Sequence, residues 1–359
     1  MSLFEPSTVV MVATLNQTIN INNASELLPV VHPKNEQGNR IFVCAKSRRR
    51  IPYYGTDGII VTVRYNHKDR GVRQGGGQMG SMISIDLQTC SKNMNLKLSQ
   101  KKIQLTGAKS EAMGIRGFEL LCSYLEMVQT NLDYISTLSE KVKSETVDWF
   151  IEAIKNEEFD SFINDKKDEF ITDWTILPFP IEPIIVPKGV DIRMVLFLWT
   201  YAVDCDYHTQ CMIRIKKVLT ITYVCSIPCN IESFYVSNAV YNYSLKRSVP
   251  LIHCAYFLRE NGIHATFHNW SSNSLKICIT VDKPAPLEDI ADSTESESEE
   301  TSDDKIKLHR FTVSNAGTVK QTSPTLFDEA KDKKDIIMEA MTKFFKLLDS
   351  GELPEIPVG

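Results

Sequence analysis

Three clusters of basic side chains stand out for what they could bind: Lys46-Ser47-Arg48-Arg49-Arg50, a group over residues 64–73, and another over residues 92–109. Lysine and arginine spaced this closely can follow a phosphate backbone, releasing condensed counterions for an affinity indifferent to base sequence. A solvated face of ordinary positive charge accounts for the same residues, so composition alone leaves both open. Net charge is −5, yet residues 1–137 carry 16 Lys and Arg against 10 Asp and Glu, whereas residues 282–304 carry 1 against 10. The basic character belongs to the N-terminal part.

Other patterns carry less. Cys225 and Cys229, with His264 and His268, supply zinc-type donors, but both pairs sit in stretches that read as strands or hairpins rather than as a knuckle and helix. Core cysteines and hairpin histidines are the expectation, with no metal and no cofactor. Gly75, Gly77 and Gly80 spell a Gly-x-Gly-x-x-Gly, but that fingerprint needs a strand before it and a helix opening at its last glycine. Strands are expected on both sides, which makes it a flexible hairpin loop. No carboxylate pair, Ser/His/Asp set, nucleophile elbow or phosphate loop has the context its chemistry needs, so an enzyme is not expected.

The element best placed to position such side chains is the run KKIQLTGAKS at residues 101–110, a strand that turns at Gly107 into a helix from 111 to about 135. Phe118, Leu121, Cys122, Leu125, Val128, Leu132 and Ile135 fall at three- and four-residue intervals, one stripe facing a core. This strand, turn and helix resemble the end of a TATA-binding-protein repeat, where a strand of basic, apolar and Thr residues runs through Gly-Ala-Lys into a long helix. MVATL at 11–15 is similar to that family's opening strand. A second copy is expected 208 residues on, with Arg310 to Gly317 beneath Lys102 to Lys109, and Thr14/Thr222, Ile19/Ile227, Asn22/Asn230 and Ser25/Ser233 as identical pairs. After Thr322-Ser323-Pro324 a helical stripe follows through Leu326, Phe327, Ala330, Ile337, Met341, Phe344, Phe345 and Leu348.

The resemblance implies an α+β fold of two TATA-binding-protein-like repeats, whose curved antiparallel sheets form a saddle with long helices on the convex side. It implies a transcription initiation factor that lays its concave sheet in the minor groove of AT-rich double-stranded DNA, alongside a transcription factor IIB-like initiation factor and RNA polymerase. Matched residue by residue, Lys102, Thr106 and Lys109 in the first repeat and Arg310 and Ser314 in the second fall on phosphate and base contacts, and Phe267 on a wedge position. Departures are plain: Val10 stands where the family has Asn, Gly317 replaces the second turn's Lys, and no Phe marks the first unit's strands. The loose match and long insertions point to a divergent member of the kind a large DNA virus encodes, working in the nucleus or a cytoplasmic viral factory. A saddle kept as a protein-interaction scaffold without DNA contact is the alternative.

Residues 1–137 are thus expected to form the first repeat, 138–190 an acidic helical insertion with a proline-rich linker, and 191–352 the second repeat, with a disordered acidic loop at 282–304. Strands are expected at 192–203, 213–224, 251–258, 263–268 and 275–281, with Asn261-Gly262 as a type I′ hairpin turn. No apolar window is long enough for a membrane span, and the N-terminus lacks the features of an export signal, so an intracellular protein is expected.

Overall fold

The computed structural model describes residues 5–31, 43–44, 51, 57–75, 80–89, 92–155, 187–202, 208–267, 274–280, 308–324 and 328–352. Two compact units emerge. The N-terminal unit comprises residues 12–108 and 112–235, and the C-terminal unit comprises residues 236–359 with 1–11 and 109–111. The acidic run at 282–304 and the proline-rich stretch at 156–186 lie outside the described residues. Among the described residues no helix is long and apolar enough to cross a membrane.

In the first part of the chain come β1 (Thr8–Leu15), α1 (Ile21–Leu27), β2 (Val43–Cys44), β3 (Ile59–Tyr65), β4 (Lys68–Gly71), β5 (Arg73–Gln74), β6 (Ile83–Thr89), β7 (Lys92–Leu98) and β8 (Lys102–Ala108). They assemble in the order β1-β8-β7-β6-β3-β4, with β2 and β5 as a separate short parallel pair. The strands alternate as the sequence dictates: Met94, Leu96 and Leu98 on β7 and Ile103 and Leu105 on β8 are buried. Their partner is α2 (Glu111–Thr137), whose Phe118, Leu121, Cys122, Leu125, Val128 and Leu132 form the expected buried stripe. Gly117 lets the helix come close, since a Cβ there would stand 2.7 Å from Leu105 Cδ1 and 2.9 Å from Met94 Cε. Gly107 sits within β8 at φ +109°, a conformation open to glycine, and the chain enters α2 three residues past the end of that strand.

Three further helices belong to this unit: α3 (Glu140–Lys155), α4 (Ile192–Ala202) and α5 (His208–Leu219). The last two replace strands expected at 192–203 and 213–224. A continuous apolar run does not distinguish a buried strand from a buried helix. The decisive signal is Asp191, whose Oδ1 accepts from Met194 N at 2.8 Å as an N-cap. In α5 the buried Cys211, Ile215 and Val218 recur at helical spacing. Tyr134 on α2 donates to Asp191 Oδ2 at 2.6 Å, and Tyr201 on α4 donates to Leu27 O at 2.8 Å, which ties α4 to α2 and to the end of α1. The helical addition therefore continues to residue 219, and the next regular element is β9 (Ile231–Ser244), not a repeat-opening strand at 219–230.

The C-terminal unit continues with α6 (Leu251–Glu260), β10 (His264–Phe267), β11 (Ser274–Thr280), β12 (Leu308–Ser314), β13 (Thr318–Ser323) and α7 (Asp328–Ser350), its strands in the order β9-β13-β12-β11-β10. The expected strand at 251–258 is α6. Asn261-Gly262 consequently ends a helix instead of closing a hairpin: Gly262 has φ +73°, Gly262 N donates to Arg259 O and Ile263 N to Leu258 O. Leu275, Ile277, Phe311, Val313 and Val319 pack against Phe257 and Leu258 of α6 and Ile337, Met341 and Phe344 of α7. Phe257 and Phe344 lie 5.5 Å apart, ring centre to ring centre. Since β13 lies between β12 and α7, Arg310 to Ser314 do not form the strand that leads into the helix, and the 208-residue offset fails. Asn315 to Gly317 make the β12–β13 hairpin turn, closed by Gly317 N donating to Ser314 O.

Candidate nucleic-acid interface

Because side chains alternate along a strand, burying one face of the C-terminal sheet presents the other. Cross-strand pairing arranges that other face in rows. One row runs His264, Cys278, Arg310, Thr322, Val240; the next runs Thr266, Lys276, Thr312, Lys320, Asn242. Lys276, Arg310 and Lys320 are exposed, and Thr266, Thr312 and Thr322 are half-buried between them. Strands about 4.8 Å apart put Lys276 and Lys320, two strands from each other in one row, about 10 Å apart. Residues 236–244, 264–267, 274–280, 308–314 and 318–323 contain no Asp or Glu. Among the described residues, no carboxylate pairs with Lys276, Arg310 or Lys320. Burial pushes the Cys278 thiol up, while Arg310 and Lys276 pull it the other way, so both cations stand close to it.

The N-terminal sheet treats its corresponding face differently. Thr62, Asp86, Asn95 and Thr106 form one cross-strand row and Arg64, Ser84, Lys97 and Gln104 the next. At its β3 and β6 end this face is closed, with Thr62 and Gln88 0%, Ser84 2% and Asp86 7% exposed. Asn95 Nδ2 donates to Asp86 Oδ1 at 2.9 Å and to Ser84 Oγ at 3.0 Å, and Arg73 Nε meets Asp86 Oδ2 at 3.4 Å. Asn93 Nδ2 donates to Ile51 O, beside a small apolar cluster of Ile51, Ile59, Val61 and Val72. The basic group at 64–73 is engaged largely inside the unit: Arg64 donates to Ser84 Oγ, Arg70 to the carbonyls of Ser25 and Glu26, and Lys68 pairs with Glu26.

The residues expected at the interface divide accordingly. Lys102 is exposed and Thr106 half-buried on one face of β8, and Lys109 is exposed in the turn before α2. Arg310 and Ser314 share the basic face on β12, where Ser314 Oγ also accepts from Thr318 N at 3.1 Å and so fixes the hairpin. Phe267 is not on that face. It lies opposite Leu275 and packs into the core beneath the helices, so the wedge role does not hold for it. Sequence reasoning does not pick out Lys276, Lys320, Thr266, Thr312 and Thr322. The alternation in SLKICIT and TVKQTS carries that signal, but which parity faces outward follows only from the pairing.

No family model matches the chain, and no curated protein matches it in sequence. Among solved structures its fold is similar to that of the TBP of Methanococcus jannaschii. That protein is 9% identical, with a TM-score of 0.37 over 94% of this chain and 98% of that one.

The cysteines form a separate cluster. Cys122 on α2 lies with Cys225 and Cys229 of the loop before β9, all three buried. Cys225 Sγ donates to Leu125 O at 3.6 Å, and the proximity of the other two thiols pulls Cys229 below the usual thiol range while it raises theirs. Gln129 Oε1 accepts from Val224 N and Cys225 N, and Glu126 Oε1 from Cys229 N, so α2 fastens the loop. His264 is on β10 of the other unit and His268 lies outside the described residues. Among the described residues no group of three or more His, Cys, Asp or Glu is placed to hold a metal ion.

Proposed function

We propose that the chain binds double-stranded DNA through the open face of the C-terminal sheet, as a transcription initiation factor of the TATA-binding-protein kind. The observation that carries this is the carboxylate-free face of Lys276, Arg310 and Lys320 interleaved with threonines. Such a face supplies phosphate contacts from its cations and small, partly apolar side chains for a groove with few hydrogen-bonding groups. Supporting the repeat reading, both units run from a strand through a helix and four matching sheet strands to a long helix, as β1-α1-β3-β6-β7-β8-α2 and β9-α6-β10-β11-β12-β13-α7, with β4 as an additional edge strand and the short β2–β5 pair as insertions in the first. The strand orders β1-β8-β7-β6-β3 and β9-β13-β12-β11-β10 correspond step for step. A saddle, an initiation-factor partner and an RNA polymerase belong to the same proposal, as does a role in binding and not in catalysis.

Equilibrium binding to AT-rich and GC-rich duplexes of equal length, titrated with salt, tests it. Affinity should fall linearly in log–log form with salt and favour the AT-rich duplex. Weak binding indifferent to both salt and sequence would refute it. That outcome would favour a protein-interaction scaffold, for which the exposed Ile213, Tyr223 and Ile227 of the N-terminal unit provide apolar surface.

A further inference from the structure

A cavity of about 400 Å³ opens in the N-terminal unit between α1, the β3–β4 hairpin, the end of α5 and the segment that follows it. That volume lies in the range of small-ligand sites, about 300–1,000 Å³. Its wall is polar. Asn22, Asn66, Thr220 and Thr222 contribute amides and hydroxyls, and Lys68 and Lys217 contribute the charges. Both ammonium groups converge on a single atom, Oε1 of Glu26, at 2.7 Å for Lys68 and in close contact for Lys217. Glu26 is 15% exposed while Lys68 and Lys217 are 62% and 44% exposed, so the carboxylate sits at the base and the cations lean outward.

Arg214, which donates to Glu26 O at 3.1 Å, is near enough to repel Lys68, and Arg70 donates to the same carbonyl at 3.1 Å. In the wall itself Lys68 and Lys217 face Glu26, which is, among the described residues, the one carboxylate lining the cavity. Each ammonium has three N–H donors and gives one of them to Glu26 Oε1. A second anion would use both ammonium groups, and lysine acts as a point-charge binder of phosphate.

We propose that this cavity binds a phosphate group, with Lys68 and Lys217 as its charge contacts and Glu26 as an internal anion that it displaces. Among the described residues Tyr65 is the one aromatic side chain in the wall, and its hydroxyl donates to Asn22 Oδ1. The site is independent of the open face of the C-terminal sheet.

Isothermal titration of the full chain with inorganic pyrophosphate tests the proposal. Lys217→Met and Lys68→Met should each weaken binding by about tenfold, as loss of one hydrogen bond to a charged group does. Glu26→Gln should strengthen binding several-fold, because it removes the competing carboxylate. A site that served only to stabilise the fold would show the opposite pattern, a lower melting temperature for Glu26→Gln and no gain in affinity. Pyrophosphate binding unchanged in both lysine variants, or weakened by Glu26→Gln in a protein that still melts cooperatively, would overturn it. If Glu26→Gln fails to fold, Lys217→Met decides the question by itself. A competition arm uses the Lys276→Ala, Arg310→Ala, Lys320→Ala variant to separate the two sources of phosphate. Displacement of pyrophosphate by a short duplex there assigns a nucleic-acid backbone, and its absence assigns a soluble phosphate compound.

Discussion

Replacing Lys276, Arg310 and Lys320 together with Ala removes the positive charge from the described strands of the C-terminal face without touching its core. All three side chains are exposed on strands whose alternate residues carry the packing, so melting should change little. If each neutralises one phosphate, the triple variant should lower the slope of log affinity against log salt by about 2.7, at roughly 0.9 for each phosphate. Between 50 and 200 mM salt that difference amounts to about 40-fold, which the wild type loses and the variant does not. Single variants should each remove about a third of the slope change. Fluorescence anisotropy of a labelled duplex across that range reads the slope directly. An unchanged slope in a folded variant would show that the phosphates are held elsewhere, and the assignment of this face would fall.

Two further outcomes follow from buried polar groups. Arg73→Ala leaves Asp86, 7% exposed, with Asn95 as its remaining partner, and should cost about 2 kcal/mol in urea unfolding while leaving the salt slope of DNA binding unchanged. His309 is fully buried, and burial lowers its pKa, partly offset by Glu329, whose Oε1 is 3.7 Å away, with Lys333 reinforcing the depression. The unfolded chain therefore binds this proton more tightly than the folded one. The stability His309 confers is present above the ordinary histidine range and declines as pH falls through it. Urea midpoints measured from pH 7.5 to 5 should drop less steeply in His309→Leu than in the wild type.

The clearest signals in the chain are local ones. The stripe of α2 and the strand before it need only period and turn residues, and both stand where the sequence puts them. Helices α4, α5 and α6 are hidden because apolar runs such as MVLFLW fit either period, although Asp191 and Pro250 mark two of the starts. Asn261-Gly262 misleads for a related reason: positive φ at glycine serves a helix end as well as a hairpin. The interface is harder still. Basic residues at 64–73 look available, but their partners Glu26, Ser84 and Asp86 are brought to them by tertiary packing. Lys276 and Lys320 become neighbours only through two intervening strand pairings. Sequence spacing carries no information about such rows until register is set.

The sequestered sulfurs give the molecule a pair of built-in clocks. Cys122, Cys225 and Cys229 are covered within the N-terminal unit, and Cys254 within the C-terminal unit, where its Sγ lies 3.5 Å from Met341 Sδ. A thiol reagent can reach either set only when that unit opens, so alkylation resolved by peptide mass reports the opening frequency of each half separately. The loop carrying Cys225 and Cys229 is fastened to α2 through Gln129 and Glu126 and to the segment between β1 and α1 through Asn16, Gln17 and Asn20. Its release exposes two sulfurs without melting a strand, and the order in which cysteines become modified would separate loosening of that loop from loss of the sheet beneath it.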